Sequence, residues 1–198
     1  MPLPTIIFAS NNQHKANEIR AVLTDILSIQ TLKEAGILID IPEPHDTLEE
    51  NASEKSSVIY KLSGKNCFSE DTGMEVEALE GEPGVKSARY ADNEPQYKTN
   101  IDKLLHKMKA VTERTARFRT VISLRLDGEE YFFEGICNGR ISEEEKGDSG
   151  FGYDPVFIPD GAGKTFAEMD MDEKNIYSHR KKATQKFVEF LKAYYGKS

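Results

Sequence analysis

Two adjacent carboxylates, Glu70 and Asp71, sit in the segment Ser69-Glu70-Asp71-Thr72-Gly73, directly after a short apolar run. Carboxylates packed this closely repel each other unless one is protonated or a cation lies between them. Mg²⁺ suits such a pair, because it prefers oxygen ligands and is usually held by one or two carboxylates together with substrate phosphates. The same residues also read as a solvated acidic turn. A second segment, Ser10-Asn11-Asn12-Gln13-His14-Lys15, lies between a strand pattern and a helix pattern. Backbone N–H groups at a helix N-terminus attract phosphate, and the lysine adds a point charge. An ordinary capped polar turn has the same composition, and the glycines of a dinucleotide or P-loop site are missing.

Two more segments carry chemistry. In Gly150-Phe151-Gly152-Tyr153-Asp154-Pro155, glycines flank an aromatic ring. Phe151 then projects either as a platform for a flat ring, where stacking is worth about 1–3 kcal/mol, or as the core anchor of a hairpin turn. In Ser178-His179-Arg180-Lys181-Lys182, Ser178 is a good N-cap, and basic residues crowd the first turn of a helix. The helix dipole disfavours cations there. Such local violations are expected at functional sites, although a basic surface patch has the same sequence. Gly163-Lys164-Thr165 mimics the tail of a P-loop, but the glycine required five residues earlier is Ile158.

The surrounding pattern supplies elements to position these residues. Thr5 to Ser10 reads as a buried strand, followed by a helix from about Lys15 to Leu27 with Ile19, Val22, Leu23 and Ile26 on one face. Ile37 to Ile41 reads as a second strand, ended by Pro42. Thr47 and Glu50 have capping-box spacing at the head of the next helix, and Gly64 is a natural stop. Asn66 to Ser69 is a short apolar strand running into the acidic segment. A helix covers roughly Tyr97 to Lys109. The period then changes to two: Ala116 to Leu126 and Tyr131 to Ile141 form two long strands about an Asp127-Gly128 turn. A glycine-rich turn, Gly147 to Gly152, leads to Val156-Phe157-Ile158, and a final helix starts near Ser178. This order is α/β with an inserted antiparallel pair, hence a mixed sheet.

Composition narrows the function classes. A formal net charge of −8 argues against general nucleic-acid binding, which needs a broad basic surface. It leaves room for a polyanionic small molecule held by a local positive pocket or a bridging metal. No apolar run is long enough to cross a bilayer, and Met1-Pro2-Leu3-Pro4-Thr5 lacks the pattern of a signal peptide. Two cysteines in apolar stretches, Cys67 and Cys137, point to a reducing compartment. The expectation is a cytoplasmic protein with neither membrane nor nucleic-acid partners.

Taken in order, the segments resemble the inosine triphosphate pyrophosphatase family. The resemblance runs through FASNNQHK (Phe8 to Lys15), EENASEK (Glu49 to Lys55), SEDTGMEVEAL (Ser69 to Leu79), GEPGVKSARYA (Gly81 to Ala91), FGYDPVF (Phe151 to Phe157) and EKNIYSHR (Glu173 to Arg180). It implies a single nucleoside triphosphate pyrophosphatase domain over residues 1–198. The implied fold is elongated α/β, a mixed sheet with flanking helices and two lobes around a central cleft, and the implied assembly is a homodimer. The implied reaction is Mg²⁺-assisted hydrolysis of ITP, dITP and XTP to monophosphate and pyrophosphate. Asp71 resembles the catalytic carboxylate and metal ligand, with Glu70 and Glu43 assisting the metal. Ser10, Asn11, Asn12, Gln13, His14, Lys15 and Lys55 resemble the triphosphate cradle, with Thr72 beside it. Phe151 resembles the base-stacking platform, and Gly152, Tyr153 and Asp154 continue the pocket wall. Lys174, His179 and Arg180 resemble the purine-reading group. Glu70 stands where many relatives have Asp, and Glu43-Pro44-His45-Asp46 departs from a more regular pattern. Two other readings stay open: a pyrophosphatase for other modified nucleotides, and a nucleotide-sensing module without turnover.

Overall fold

The all-apolar stretch in TIIFAS requires cover on both faces of its strand, and it receives it. The computed structural model describes residues 5–23 and 27–195. Strand β1 (Thr5–Phe8) runs parallel to β2 (Ser28–Thr31) on one side and to β3 (Cys67–Val76) on the other. Beyond β3 the sheet continues through β5 (Thr115–Leu126), β6 (Glu129–Ile141) and β7 (Phe157–Pro159), while the short β4 (Pro83–Gly84) pairs antiparallel with β3. The sheet is therefore mixed, with helices α1 (Gln13–Val22), α2 (Leu48–Ser63), α3 (Asn100–Lys107), α4 (Met171–Tyr177) and α5 (His179–Tyr195) around it. No described helix is long and apolar enough to cross a membrane.

The chain separates into two compact units, residues 1–71, 120–135 and 180–198 in the first, and residues 72–119 and 136–179 in the second. In the first unit, Ile6, Phe8 and Phe68 on one sheet face pack with Ala16 and Ile19 of α1 and with Ala183, Phe187 and Leu191 of α5. On the opposite face, Ile7, Ala9 and Cys67 pack with Ile59 of α2. Helix α2 is well delimited. Thr47 accepts the Glu50 N–H at 3.2 Å, and Gly64 ends the helix in the left-handed region at φ 64°. In the second unit, Met74, Val76, Leu104, Phe118, Phe157 and Phe166 form the core.

Several expectations need correction. The second strand is Ser28–Thr31, whereas 37–41 has no regular structure and Leu38 is 86% exposed. The apolar run near Leu38 suggests burial it does not have, while the true strand hides behind polar residues, with Ile29 and Thr31 turned inward. The first helix starts at Gln13, capped by Asn12, and ends at Val22. Ile26 and Met1-Pro2-Leu3-Pro4 lie outside the described residues. The strand expected to end at Ser69 continues to Val76, because its later residues find a partner in β4. Helix α4 precedes the last helix and was not anticipated; Ser178 closes α4, and α5 starts at His179.

Phe68 is fully buried, with its ring centroid 4.8 Å from Phe8 and 5.0 Å from Phe187. Phe68→Ala is expected to cost about 3–5 kcal/mol of stability, measured by denaturant unfolding. The Cys67 thiol is pushed up to about 12 by burial, so at neutral pH a thiol-reactive reagent should label it only after denaturation.

Candidate active site

The loop after β1 lies at the carboxyl end of a parallel strand, where α/β sheets place their ligands. Its side chains shape the turn. Asn12 caps α1 by accepting the Lys15 N–H at 3.1 Å, Ser10 Oγ accepts the Asn12 N–H at 3.1 Å, and Asn11 accepts the Lys33 N–H at 2.8 Å. Gln13 donates to Asn17 at 2.7 Å. Asn11 to His14 are exposed, while Lys15 is half-buried and turns its ammonium to Glu70 Oε1 at 3.5 Å.

Glu70 and Asp71 lie inside β3, so the two-residue period of a strand sends them to opposite faces of the sheet. The two acids adjacent in sequence therefore meet different partners. Glu70 points with Phe68 toward α1 and α5. There Arg180 grips it in a fork, Nε to Oε2 at 3.0 Å and Nη2 to Oε1 at 3.0 Å, while Nη1 donates to Glu18 of α1. Asp71 points with Ser69 toward α2, where the Ser69 hydroxyl donates to the Ala52 carbonyl. Lys55 of α2 reaches Asp71 Oδ1 at 3.4 Å, the Glu70 carbonyl at 2.9 Å and Glu43 Oε1 at 2.6 Å.

These contacts set the electrostatics. Burial pulls Lys15 below the usual lysine range, against the attraction of Glu70. Burial also acts to lower Lys55, but Asp71 and Glu43 outweigh it and hold this ammonium above its ordinary value. Burial raises the Asp71 carboxyl, opposed by Lys55 and Lys15 and assisted by Glu43 and Glu70. Asp71 Oδ2 is buried with no hydrogen-bond partner among the described residues. Among those residues no group of three or more Asp, Glu, His or Cys side chains is already drawn together as a metal cage. A buried carboxylate oxygen without a donor nonetheless fits a hard divalent cation, which takes one or two carboxylates and completes its shell from phosphate and water.

In the second unit another group forms. Asp154 Oδ2 accepts the Phe151 N–H at 2.9 Å and the Lys174 ammonium at 2.7 Å. That ammonium lies 5.4 Å from the Phe151 ring centroid, so one carboxylate ties aromatic ring and cation together. Gly150 makes room for it: a Cβ there would lie 2.1 Å from Asp154 Oδ2, at a φ of 77°. Phe151 is half-buried, Gly152 exposed, and Tyr153 buried with its hydroxyl donating to the Ser87 carbonyl at 2.9 Å. His179 is buried against Phe118, ring centroids 4.6 Å apart and nearly parallel. Thr72, the residue after Asp71, is half-buried.

Two residues of the first unit were missed in the sequence. Glu18 follows Lys15 by three positions, on the same helix face, and is 6% exposed. Its spacing from Lys15 was the available signal. Asn51 is fully buried within EENASEK, where nothing marks it as different from a surface amide.

A family model described as the Ham1 family matches residues 6–190. A protein of Flavobacterium johnsoniae called dITP/XTP pyrophosphatase is 44% identical over 95% of this chain and 98% of its own length. One of the same name from Porphyromonas gingivalis is 49% identical over 94% of this chain and 96% of its own. The solved structure of the Staphylococcus aureus Ham1 protein matches with a TM-score of 0.85 and 38% identity, covering 96% of this chain and 98% of that one. A nucleoside-triphosphatase / dITP/XTP pyrophosphatase from Mycobacterium abscessus matches at a TM-score of 0.74 and 33% identity, over 92% and 98%.

Removing one partner of a buried ion pair leaves an uncompensated charge. Arg180→Ala, which takes the guanidinium from Glu18 and Glu70 and leaves Glu70 beside the Lys15 ammonium at 3.5 Å, is therefore expected to cost about 3–5 kcal/mol at neutral pH. With the guanidinium gone, burial moves these carboxyls toward the neutral form. The deficit should then be largest where carboxylates of the unfolded chain are ionised and shrink as pH falls through the carboxylate range, as measured by unfolding at several pH values.

Proposed function

Because this chain belongs to the Ham1 family, we infer that it hydrolyses deaminated purine nucleoside triphosphates, ITP, dITP and XTP, to the monophosphate and pyrophosphate. The observation that carries the catalytic assignment is Asp71, buried beside Lys55 with Oδ2 unpartnered among the described residues. We assign the triphosphate end to the first unit. The exposed residues Asn11 to His14 at the start of α1, with the half-buried Ser10 and with Lys15 and Lys55, offer polar groups and positive charge to phosphate oxygens. Asp71 and Glu43, which flank Lys55, would hold Mg²⁺, with Glu70 of the same cluster kept in place by Arg180. When bound, the metal supplies charge neutralisation on the triphosphate and a template for in-line displacement. Asp71 accepts a proton from the water that attacks the α-phosphorus, and pyrophosphate leaves. Positioning and charge stabilisation supply most of the rate.

We assign purine recognition to the Phe151-Asp154-Lys174 group with Gly152, Tyr153 and His179. Phe151 offers its ring for stacking, and Thr72 lies next to the reactive carboxylate. Lys174 is a donor without acceptor capacity, matched to the oxygen at the 6-position of hypoxanthine and xanthine. Adenine carries an amino donor there, so ATP leaves donors unpaired, a mismatch that rejects the wrong base by about 10⁴–10⁵ in favourable cases. Arg180 instead serves the triphosphate end, through its grip on Glu70. The homodimer implied by the resemblance and a cytoplasmic location belong to this proposal. Two buried cysteines, Cys67 and Cys137, fit the location, and the net charge of −8 fits a protein that does not coat nucleic acid.

A pyrophosphate-release assay across ITP, dITP, XTP, GTP, ATP and dUTP tests the assignment. Strong turnover of the first three with Mg²⁺, lost on chelation with EDTA, is expected. Turnover confined to pyrimidine or other damaged nucleotides would refute it. Asp71→Asn should abolish release while nucleotide still binds in equilibrium titration. Lys174→Ala should lower kcat/KM for ITP far more than for ATP; equal losses on both would remove Lys174 from base recognition.

A further inference from the structure

We propose that Asn51 is a positioning residue whose buried amide holds Glu43 in register with Lys55 and Asp71. This rests on the reading of Glu43 as part of the reactive cluster. Glu43 has no helix or strand of its own: residues 37–46 carry no regular backbone ladder. It also stands between Pro42 and Pro44, neither of which has an N–H to donate. A side chain on such a segment keeps a defined position only if the segment is fastened on both sides. Before Glu43, the half-buried Ile41 packs against the core that faces α2. After it, His45 is fastened by Asn51 through two bonds, its N–H donated to Asn51 Oδ1 at 3.0 Å and its carbonyl accepting Asn51 Nδ2 at 3.1 Å.

The amide side chain thus makes the two-point contact that a neighbouring strand would otherwise supply. Asn51 is fully buried, and an amide is kept in that position only when its polar atoms are paired. Both bonds go to one residue of the loop, two positions after Glu43. Lys55 stands one helical turn after Asn51, on the same face of α2, and donates to Glu43 Oε1 at 2.6 Å. The intervening Ala52 takes the hydroxyl of Ser69, two residues before Asp71. One helix therefore sets the loop carboxylate and the strand carboxylate against the same lysine, and Asn51 makes the loop's connection to that frame.

The test is a double-mutant cycle in the full-length protein, with Asn51→Ala, Glu43→Gln and the double variant. Readouts are kcat/KM for ITP, and amide hydrogen exchange of Glu43, His45 and Asp46 in the free protein. Asn51→Ala should lower kcat/KM on the order of 10–100-fold, the scale of an ångström-sized misplacement of a reacting group. It should add little once Glu43→Gln is present, and it should speed exchange of the three loop amides while α5 stays protected. Losses that multiply in full, or loop amides that exchange as in the wild type, would overturn the proposal. Should Asn51→Ala fail to fold, the isosteric Asn51→Asp keeps an acceptor for the His45 N–H and loses the donor, and carries the same comparison. If the wild type turns over none of the panel, the functional reading fails, and the exchange measurement still decides whether Asn51 fixes the loop.

Discussion

The grip of Arg180 on Glu70 is the interaction on which the first unit depends. Taking a guanidinium and two carboxylates out of water costs several kcal/mol per ion. It is tolerated only when nearly every charge is matched in geometry. The planar fork of Arg180 meets both oxygens of Glu70, and its remaining arm meets Glu18. A lysine would offer a single ammonium in place of that fork. The contact joins α5 to the middle strand and to α1, and it explains a cation in the first turn of a helix, where the dipole alone would reject one. The basic start of α5 is stabilised by carboxylates from two other elements.

Charge then alternates through the cluster. Lys15 leans on Glu70, and Lys55 stands among Glu43, the Glu70 carbonyl and Asp71. The pleat of β3 is what makes this possible. Two acids that are neighbours in sequence become residents of opposite sheet faces, each with its own cations. Glu70 is held by Arg180 and Lys15, while Asp71 keeps one oxygen, Oδ2, without a hydrogen-bond partner among the described residues.

Much of this frame was legible in the sequence. The alternation of residues 116–126 and 131–141 appeared as two long strands, because polar and apolar side chains alternate along them, although both faces of β5 are buried through residues 120–124. Thr47 and Gly64 marked both ends of α2 through their caps. Ser28–Thr31 was illegible because it is short and its outward residues are polar, whereas the apolar residues near 38 advertise a burial that Leu38 does not have. The continuation of β3 through Glu70 and Asp71 was hidden because a sheet partner overrides the low strand preference of acids. Glu18 looked like a surface acid, since its reason for burial is a residue 162 positions away. Asn51 was silent for a related reason: its partner is backbone, and any residue has that.

The separation of Arg180 from Glu70 along the chain, 110 positions, has a consequence for synthesis. The ribosome makes Glu18 and Glu70 long before it makes the guanidinium that pairs with both. Until the last helix emerges, the nascent first unit holds acids it cannot bury, and its sheet lacks the cover of α5. A chain that stops before that helix therefore lacks both the apolar cover of Phe187 and Leu191 and the cation for its buried acids.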